Sequence, residues 1–468
     1  MKLQTEDTIE NIKRLRSELE NHFRSILKID PRLTRKIVSF QNNKDKAFYR
    51  WYKYKEAFSS TLVEYFISKY NIPKGVIFDP FAGIGTTLFA SSLLGYDAEG
   101  IELLPIGHEI IESRVFAQFN IMQEDLSIIE EWRNERPWNL NKEPMDINCL
   151  RITRGAYPDD TAYKIGQYLS ELKTVEDKQV SKLLFFALIC ILESVSFTRK
   201  DGQYLRWDHR SERGNGKNSF DKGKIHQFDV AVCRKLYQII KDINSPLDDS
   251  LFQDRPLRRG TISLYKGSCL EVLPSIKSNK YKAIITSPPY CNRYDYTRTY
   301  ALEHALMGIS ESQLAALRQA MLSCTVENKP KDMEYISEAY YETNRMFEKQ
   351  ELINAIHKFF EEQKEKKKLN NNGIPRMVKG YFQEMTAVIA ECFRVLEDDG
   401  YVFMVNDNVR YAGISIPVDL ILSQIAEDMG FEIINILVLP QKKGNSSQQM
   451  GGFGRESLRK CVYVWRKS

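Results

Sequence analysis

Val76-Ile77-Phe78-Asp79-Pro80-Phe81-Ala82-Gly83-Ile84-Gly85-Thr86-Thr87 passes from an apolar run through a glycine-containing turn into a helix-prone stretch. Three large apolar residues bounded by turn residues read as a buried strand. Gly83 and Gly85 permit backbone angles, and a close ligand approach, that a Cβ would block. Thr86 and Thr87 fall where the start of a helix leaves backbone N–H groups free. The helix Thr87–Leu94 ends at Gly95-Tyr96-Asp97, and a short strand, Ala98–Ile101, closes on Glu102. Strand, glycine turn, helix, strand and terminal acid make the opening half of a doubly wound α/β sheet. The third glycine of a dinucleotide turn is absent, which disfavours a pyrophosphate ligand. The turn suits a cofactor with an amino-acid tail, in which Asp79 could bind an ammonium and Glu102 a ribose diol.

A second stretch far downstream, Ala283-Ile284-Ile285-Thr286-Ser287-Pro288-Pro289-Tyr290, also begins as a buried strand. Its prolines fix φ and carry no N–H, so the loop is stiff. Ser287 Oγ and the Pro288 carbonyl can accept hydrogen bonds from an amino group. Tyr290 offers a face on which an extruded base can stack.

Together these motifs resemble the cofactor and catalytic loops of the amino-group DNA methyltransferases. Those enzymes move a methyl group from S-adenosylmethionine to the exocyclic nitrogen of cytosine or adenine. The resemblance implies an α/β, Rossmann-like class I methyltransferase with a seven-stranded, mostly parallel sheet and largely helical insertions. It implies S-adenosylmethionine held by Asp79, Phe81, Ala82, Gly83, Gly85, Thr86, Thr87 and Glu102. Ser268 and Cys269 belong to the same set, Ser268 standing where the family usually has an acid. It assigns catalysis to Ser287, Pro288, Pro289 and Tyr290. Serine in the first place is typical of cytosine-N4 enzymes and aspartate of adenine-N6 enzymes. The implied activity is N4 methylation of cytosine in double-stranded DNA after base flipping, as the modification enzyme of a restriction-modification or related defence system. Adenine-N6 methylation, RNA methylation and a non-catalytic DNA-binding module are the alternatives. No metal and no covalent enzyme–base intermediate are expected. Cys291 follows Tyr290, whereas the nucleophile of cytosine-C5 enzymes directly follows a proline, so Cys291 reads as a bystander.

From Glu102 to Thr286 the chain is far longer than the roughly 60–80 residues that two further βαβ units need. The surplus reads as an insertion. The expected organisation is a helical N-terminal arm (1–45), with Ile9, Ile12, Leu15 and Leu19 at helical spacing, then the first part of the methyltransferase domain (46–124). An inserted region follows (125–260), as the candidate target-recognition domain, and then the second part of the domain (261–468), with a helical insertion at 291–375. The order matches enzymes whose recognition region lies between the two loops. Trp51–Ser60 resembles the segment that covers the methionine part of the cofactor. Arg199, Lys200, Gln203, Arg206 and Arg210 are candidates for base or phosphate contact. Arg293 and Arg298, among aromatic residues after the catalytic loop, could line the DNA side of the pocket.

Composition adds bounds. The 468 residues carry a net charge of only +5, so charge alone does not announce a nucleic-acid partner. The basic residues cluster in Arg199–Lys224 and after Gln441. Eight scattered cysteines show no metal-ligand spacing and no disulfide framework. They fit a reducing cytoplasm. The apolar run Leu183–Leu192 is about half the roughly 20 residues needed to span a bilayer. The resemblance implies double-stranded DNA and a separate endonuclease or defence subunit as partners, and the shortness of the apolar run implies no membrane.

Overall fold

The computed structural model describes residues 2–140, 143–201, 204–213, 220–245, 259–440 and 457–468. Among these, the strands in chain order are β1 (Leu27–Ile29), β2 (Val76–Asp79), β3 (Asp97–Glu102), β4 (Thr198–Asp201), β5 (Tyr204–Trp207), β6 (Ile262–Lys266), β7 (Tyr281–Thr286), β8 (Leu396–Asp407), β9 (Val409–Tyr411), β10 (Ile414–Ile416), β11 (Phe431–Val438) and β12 (Lys460–Lys467). One sheet runs β1-β11-β12-β8-β7-β2-β3-β6. Only β12 is antiparallel to its neighbours, β8 and β11.

The sheet therefore has eight strands, not the seven expected. The extra edge strand comes from the N-terminal segment, where Leu27 to Ile29 pair in parallel with Ile436 to Val438. Three residues with a lysine in the middle carry too little pattern to read as a strand. They cover an edge that β11 would otherwise present to solvent. The preceding helix, Lys2–His22, lies against the helix Glu351–Glu365 and buries Ile12, Leu15 and Leu19. Helical spacing had marked those three positions.

The insertion is built from the helices Gln123–Glu135, Asp159–Leu172, Lys178–Val195 and Phe228–Asn244. Their apolar faces share a core containing Trp132, Trp138, Tyr168, Phe186 and Leu188. That core continues into Trp51, whose indole N–H donates to Asp242 Oδ2 at 2.8 Å. Leu183–Leu192 lies inside the third of these helices, and no described helix is long and apolar enough to cross a membrane.

The sheet order places the site. Chain order runs from β2 to β3 on one side, while β7 returns on the other side of β2. Ile77 and Phe78 pair with Ala283 and Ile284. The loops after β2 and β7 therefore leave the same sheet edge side by side. A crevice at the carboxyl ends of strands, where strand order reverses, is where doubly wound sheets bind ligands.

Candidate active site

The two loops are bonded to each other. Asp79 Oδ1 accepts from Thr286 Oγ1 at 2.6 Å and from the Phe81 N–H at 3.0 Å. Thr87 Oγ1 donates to the Ile285 carbonyl at 2.9 Å. Gly85 caps the helix Thr86–Leu93 in the left-handed region (φ +75°), and a Cβ there would lie 3.0 Å from both Ile111 and Phe89. Gly83 is also left-handed, at φ +56°. Its N–H donates to Glu102 Oε2 at 2.7 Å, while Glu102 Oε1 takes the Leu104 N–H at 2.7 Å. Glu102 thus has a single position, at the mouth of the turn.

A cavity of about 360 Å³ opens between the loops. Asp79, Phe81, Ala82, Gly83, Thr86, Glu102, Ser268, Cys269, Ser287, Pro289 and Tyr290 all line it. Gly85, Thr87 and Pro288 are not among the lining residues; Gly85 and Thr87 support the wall from behind, and Pro288 joins the two lining residues Ser287 and Pro289. The cavity's chemistry fits an amino-acid-bearing nucleoside. Two buried carboxylates are answered only by neutral donors, and burial pushes Asp79 up to about 6 and Glu102 up to about 7. Thr86 Oγ1 is buried with no protein partner at a helix start, where a carboxylate would be welcome. Ser268 donates to the Ala320 carbonyl at 2.9 Å, so its lone pairs remain for a ligand N–H.

Ser287 Oγ lies 3.2 Å from the Val405 carbonyl and 3.2 Å from Tyr290 Oη. The carbonyl can only accept, so the Ser287 proton belongs there, the Tyr290 hydroxyl donates to Ser287 Oγ, and one serine lone pair stays available. Cys291 is fully buried, its thiol pKa raised by that burial, and its backbone carbonyl accepts from Tyr411 Oη at 2.8 Å. A buried neutral thiol is a poor nucleophile.

The far wall comes from the segment before the first motif. Tyr54 stacks on Tyr300 with ring centroids 5.0 Å apart and planes at 5°. Glu56 accepts from the hydroxyls of Tyr294 and Tyr300. Tyr54, Glu56 and Phe58 line the cavity. The sequence marked this segment as a cofactor cover. Its pairing with Tyr294 and Tyr300, from beyond the catalytic loop, had no signal.

A family model described as DNA methylase matches residues 5–113. The Type II methyltransferase M.AvaI of Nostoc sp. is 53% identical over 465 residues, 99% of this chain and 95% of that protein. The Type II methyltransferase M.BsoBI of Geobacillus stearothermophilus is 40% identical over 485 residues, 97% of this chain and 92% of that protein. The chain belongs to the type II amino-group DNA methyltransferases. Its methyl donor is S-adenosylmethionine, which supplies a sulfonium-activated methyl.

The residues named for DNA contact do not form one cluster. Arg199 and Arg206 face each other across the β4–β5 hairpin, both exposed, with guanidinium carbons 5.5 and 4.1 Å from the centre of the Phe220 ring. Arg210 is paired with buried Asp208, Nε to Oδ1 at 2.6 Å. Lys200 differs from the expectation. It is buried and bonded to Glu303 and to Tyr52 Oη, so no phosphate reaches it. Its alternation with Arg199 along β4 sends it inward. Arg298 pairs with Asp295 and Glu327. Arg293 sits in the left-handed region (φ +67°) beside the catalytic loop, with Nε buried and without a protein partner. Gln203 lies outside the described residues.

The two raised carboxylates set a pH dependence. Both hold protons in the folded state at pH values where the unfolded chain, near 3.8 and 4.5, has lost them. Stability of the cofactor-free protein should therefore fall as pH rises from about 4 through about 7. Cofactor binding should do the opposite if Asp79 meets the ammonium and Glu102 the ribose diol, as the resemblance implies, because both partners favour the ionised carboxylates. Affinity for S-adenosylmethionine is expected to rise several-fold between about pH 5.5 and about pH 7, with proton release. Calorimetry in two buffers of different ionisation enthalpy measures both. A flat profile without proton release would contradict these positions for Asp79 and Glu102.

Proposed function

We propose that the chain methylates N4 of cytosine in double-stranded DNA at a defined sequence, acting on a base swung out of the helix. The observation that carries this reading is Ser287 at the head of Ser-Pro-Pro-Tyr, with its proton committed to the Val405 carbonyl, the Tyr290 hydroxyl on one lone pair and the other lone pair free. Ser287 Oγ and the Pro288 carbonyl accept the two amino hydrogens, which turns the N4 lone pair out of conjugation. Tyr290 stacks on the flipped base. Asp79 holds the cofactor ammonium, Thr86 and the helix start its carboxylate, Glu102 the ribose hydroxyls, and Ser268 and Cys269 flank the adenine. Substrate alignment supplies most of the rate, since little acid–base chemistry is needed. Arg199 and Arg206 are proposed to contact the DNA beside the site.

The alternative is adenine-N6 methylation by the same arrangement, which differs only in the base held. The two relatives are named as type II methyltransferases. This supports a cytoplasmic role as the modification half of a restriction pair, with the endonuclease on another chain. Polymerase-kinetic sequencing of DNA methylated by the protein in vitro is the test. Modified cytosines should recur in one short sequence. Modification confined to adenines would overturn the reading.

A further inference from the structure

Two charged side chains on the cavity wall have no part in the chemistry above. Asp407 ends β8, Lys460 begins β12, and the two are register partners. Lys460 Nζ lies 3.2 Å from Asp407 Oδ1 and 5.3 Å from the centre of the Tyr290 ring. Both line the cavity that Ser287 and Tyr290 line. Their side chains keep 28% and 32% of their exposure, while Asp407 Oδ1 itself is shielded from solvent, so the pair is set into the cavity wall. The backbone is held on both sides: the Leu439 N–H donates to the Lys460 carbonyl and the Asn408 N–H to the Arg459 carbonyl, each at 3.0 Å. Burial works against the ammonium charge, but the Asp407 carboxylate outweighs it and raises the Lys460 pKa. The neighbouring Arg459 is bound to Asp419 and takes no part.

The position of this ammonium has a chemical consequence. An ammonium has three donors; Asp407 and the Tyr290 hydroxyl draw on two, which leaves one for a ligand. With a base stacked on Tyr290, an ammonium 5.3 Å from the ring centre is within reach of that base's edge. The edge of cytosine carries the amino group, then ring N3, then the O2 carbonyl. That of adenine carries the amino group, then ring N1, then a C–H. With the amino group fixed at Ser287 and Pro288, the far end of the edge is an acceptor in cytosine and apolar in adenine. A donor built to be satisfied there discriminates against a base that leaves it unanswered. We propose that Lys460, oriented by Asp407, donates to the O2 carbonyl of the flipped cytosine and sets the base preference of the site. This rests on the cytosine reading above.

The test is a binding cycle with full-length protein and S-adenosylhomocysteine, the demethylated cofactor, which fills the cofactor site without turnover. Wild type and Lys460→Met are titrated with duplexes carrying the mapped site, the target position being either cytosine or abasic. Lys460→Met should weaken binding to the cytosine duplex about tenfold and to the abasic duplex less than about twofold, the size of one charge-assisted hydrogen bond. Unchanged cofactor affinity shows that the variant is folded, and Lys460→Arg should recover most of the loss. If Lys460→Met does not fold, Asp407→Asn should show a smaller loss with the same dependence on the base. Equal losses on both duplexes would overturn the proposal and move Lys460 to the DNA backbone. No loss on either would make the pair purely structural and overturn it equally. Failure of the cytosine reading is a separate result, seen as N6-methyladenine in wild-type product before any variant is made.

Discussion

Gly107→Ala is expected to lower affinity for S-adenosylmethionine at least about thirtyfold, or about 2 kcal/mol, while leaving the protein folded. Gly107 is in the first turn of the helix Pro105–Val115. A Cβ there would lie 2.5 Å from Glu102 Cγ and 2.6 Å from the Gly83 carbonyl oxygen. Neither neighbour can give way cheaply. Gly83 is part of the left-handed turn, and Glu102 is pinned by the Gly83 and Leu104 N–H groups. The added methyl must therefore push the turn and the carboxylate apart, which distorts the end of the cavity proposed to hold the ribose. Alanine favours the helix by about 1 kcal/mol over glycine, which offsets part of the strain in overall stability. Calorimetric titration measures the loss, with a melting curve to show that the fold persists. Wild-type affinity in a folded variant would remove Glu102 and the Gly83 turn from the cofactor site.

Ser287→Ala should cut the methyl-transfer rate about a hundredfold, with affinity for S-adenosylmethionine within about twofold of wild type. In the proposed mechanism the Ser287 hydroxyl acts at the amino nitrogen, and its bonds run to Val405 and Tyr290, not to the cofactor turn. Its removal takes away one of the two acceptors that orient the nitrogen lone pair and leaves the Pro288 carbonyl as the other. The sheet is not at risk, because Thr286, one residue earlier, carries the link to Asp79. Single-turnover transfer with saturating cofactor reads the chemical step directly. A full transfer rate, or a loss explained by weaker cofactor binding, would contradict the role given to this oxygen.

The parts of the molecule that rest on local pattern were legible in the sequence. Val76–Phe78 and Ala283–Ile285 are continuous apolar runs, and continuous runs mark strands buried on both faces. Gly83 and Gly85 announced the left-handed turn, and Glu102 its acid. Features built by partners distant in the chain were not legible. Gly107 gave a faint signal, as a glycine inside a helix that needs no turn there. The Tyr54–Tyr300 stack and the Asp407–Lys460 pair join segments that only sheet order brings together. Strand β1 was too short to show a period. Lys200 looked like one more cation in a basic run, yet the alternation of β4 turns it inward to Glu303 while Arg199 stays outside.

Nucleoside mass spectrometry of unmethylated DNA, incubated with the protein and S-adenosylmethionine, is the most direct test of a cytosine-N4 transfer made without an enzyme–base bond. The account predicts N4-methylcytosine as the modified nucleoside. N6-methyladenine in its place would contradict the reading of Ser287 while leaving the cavity intact. 5-Methylcytosine would contradict the mechanism itself, because it would require a nucleophile where Cys291 lies buried.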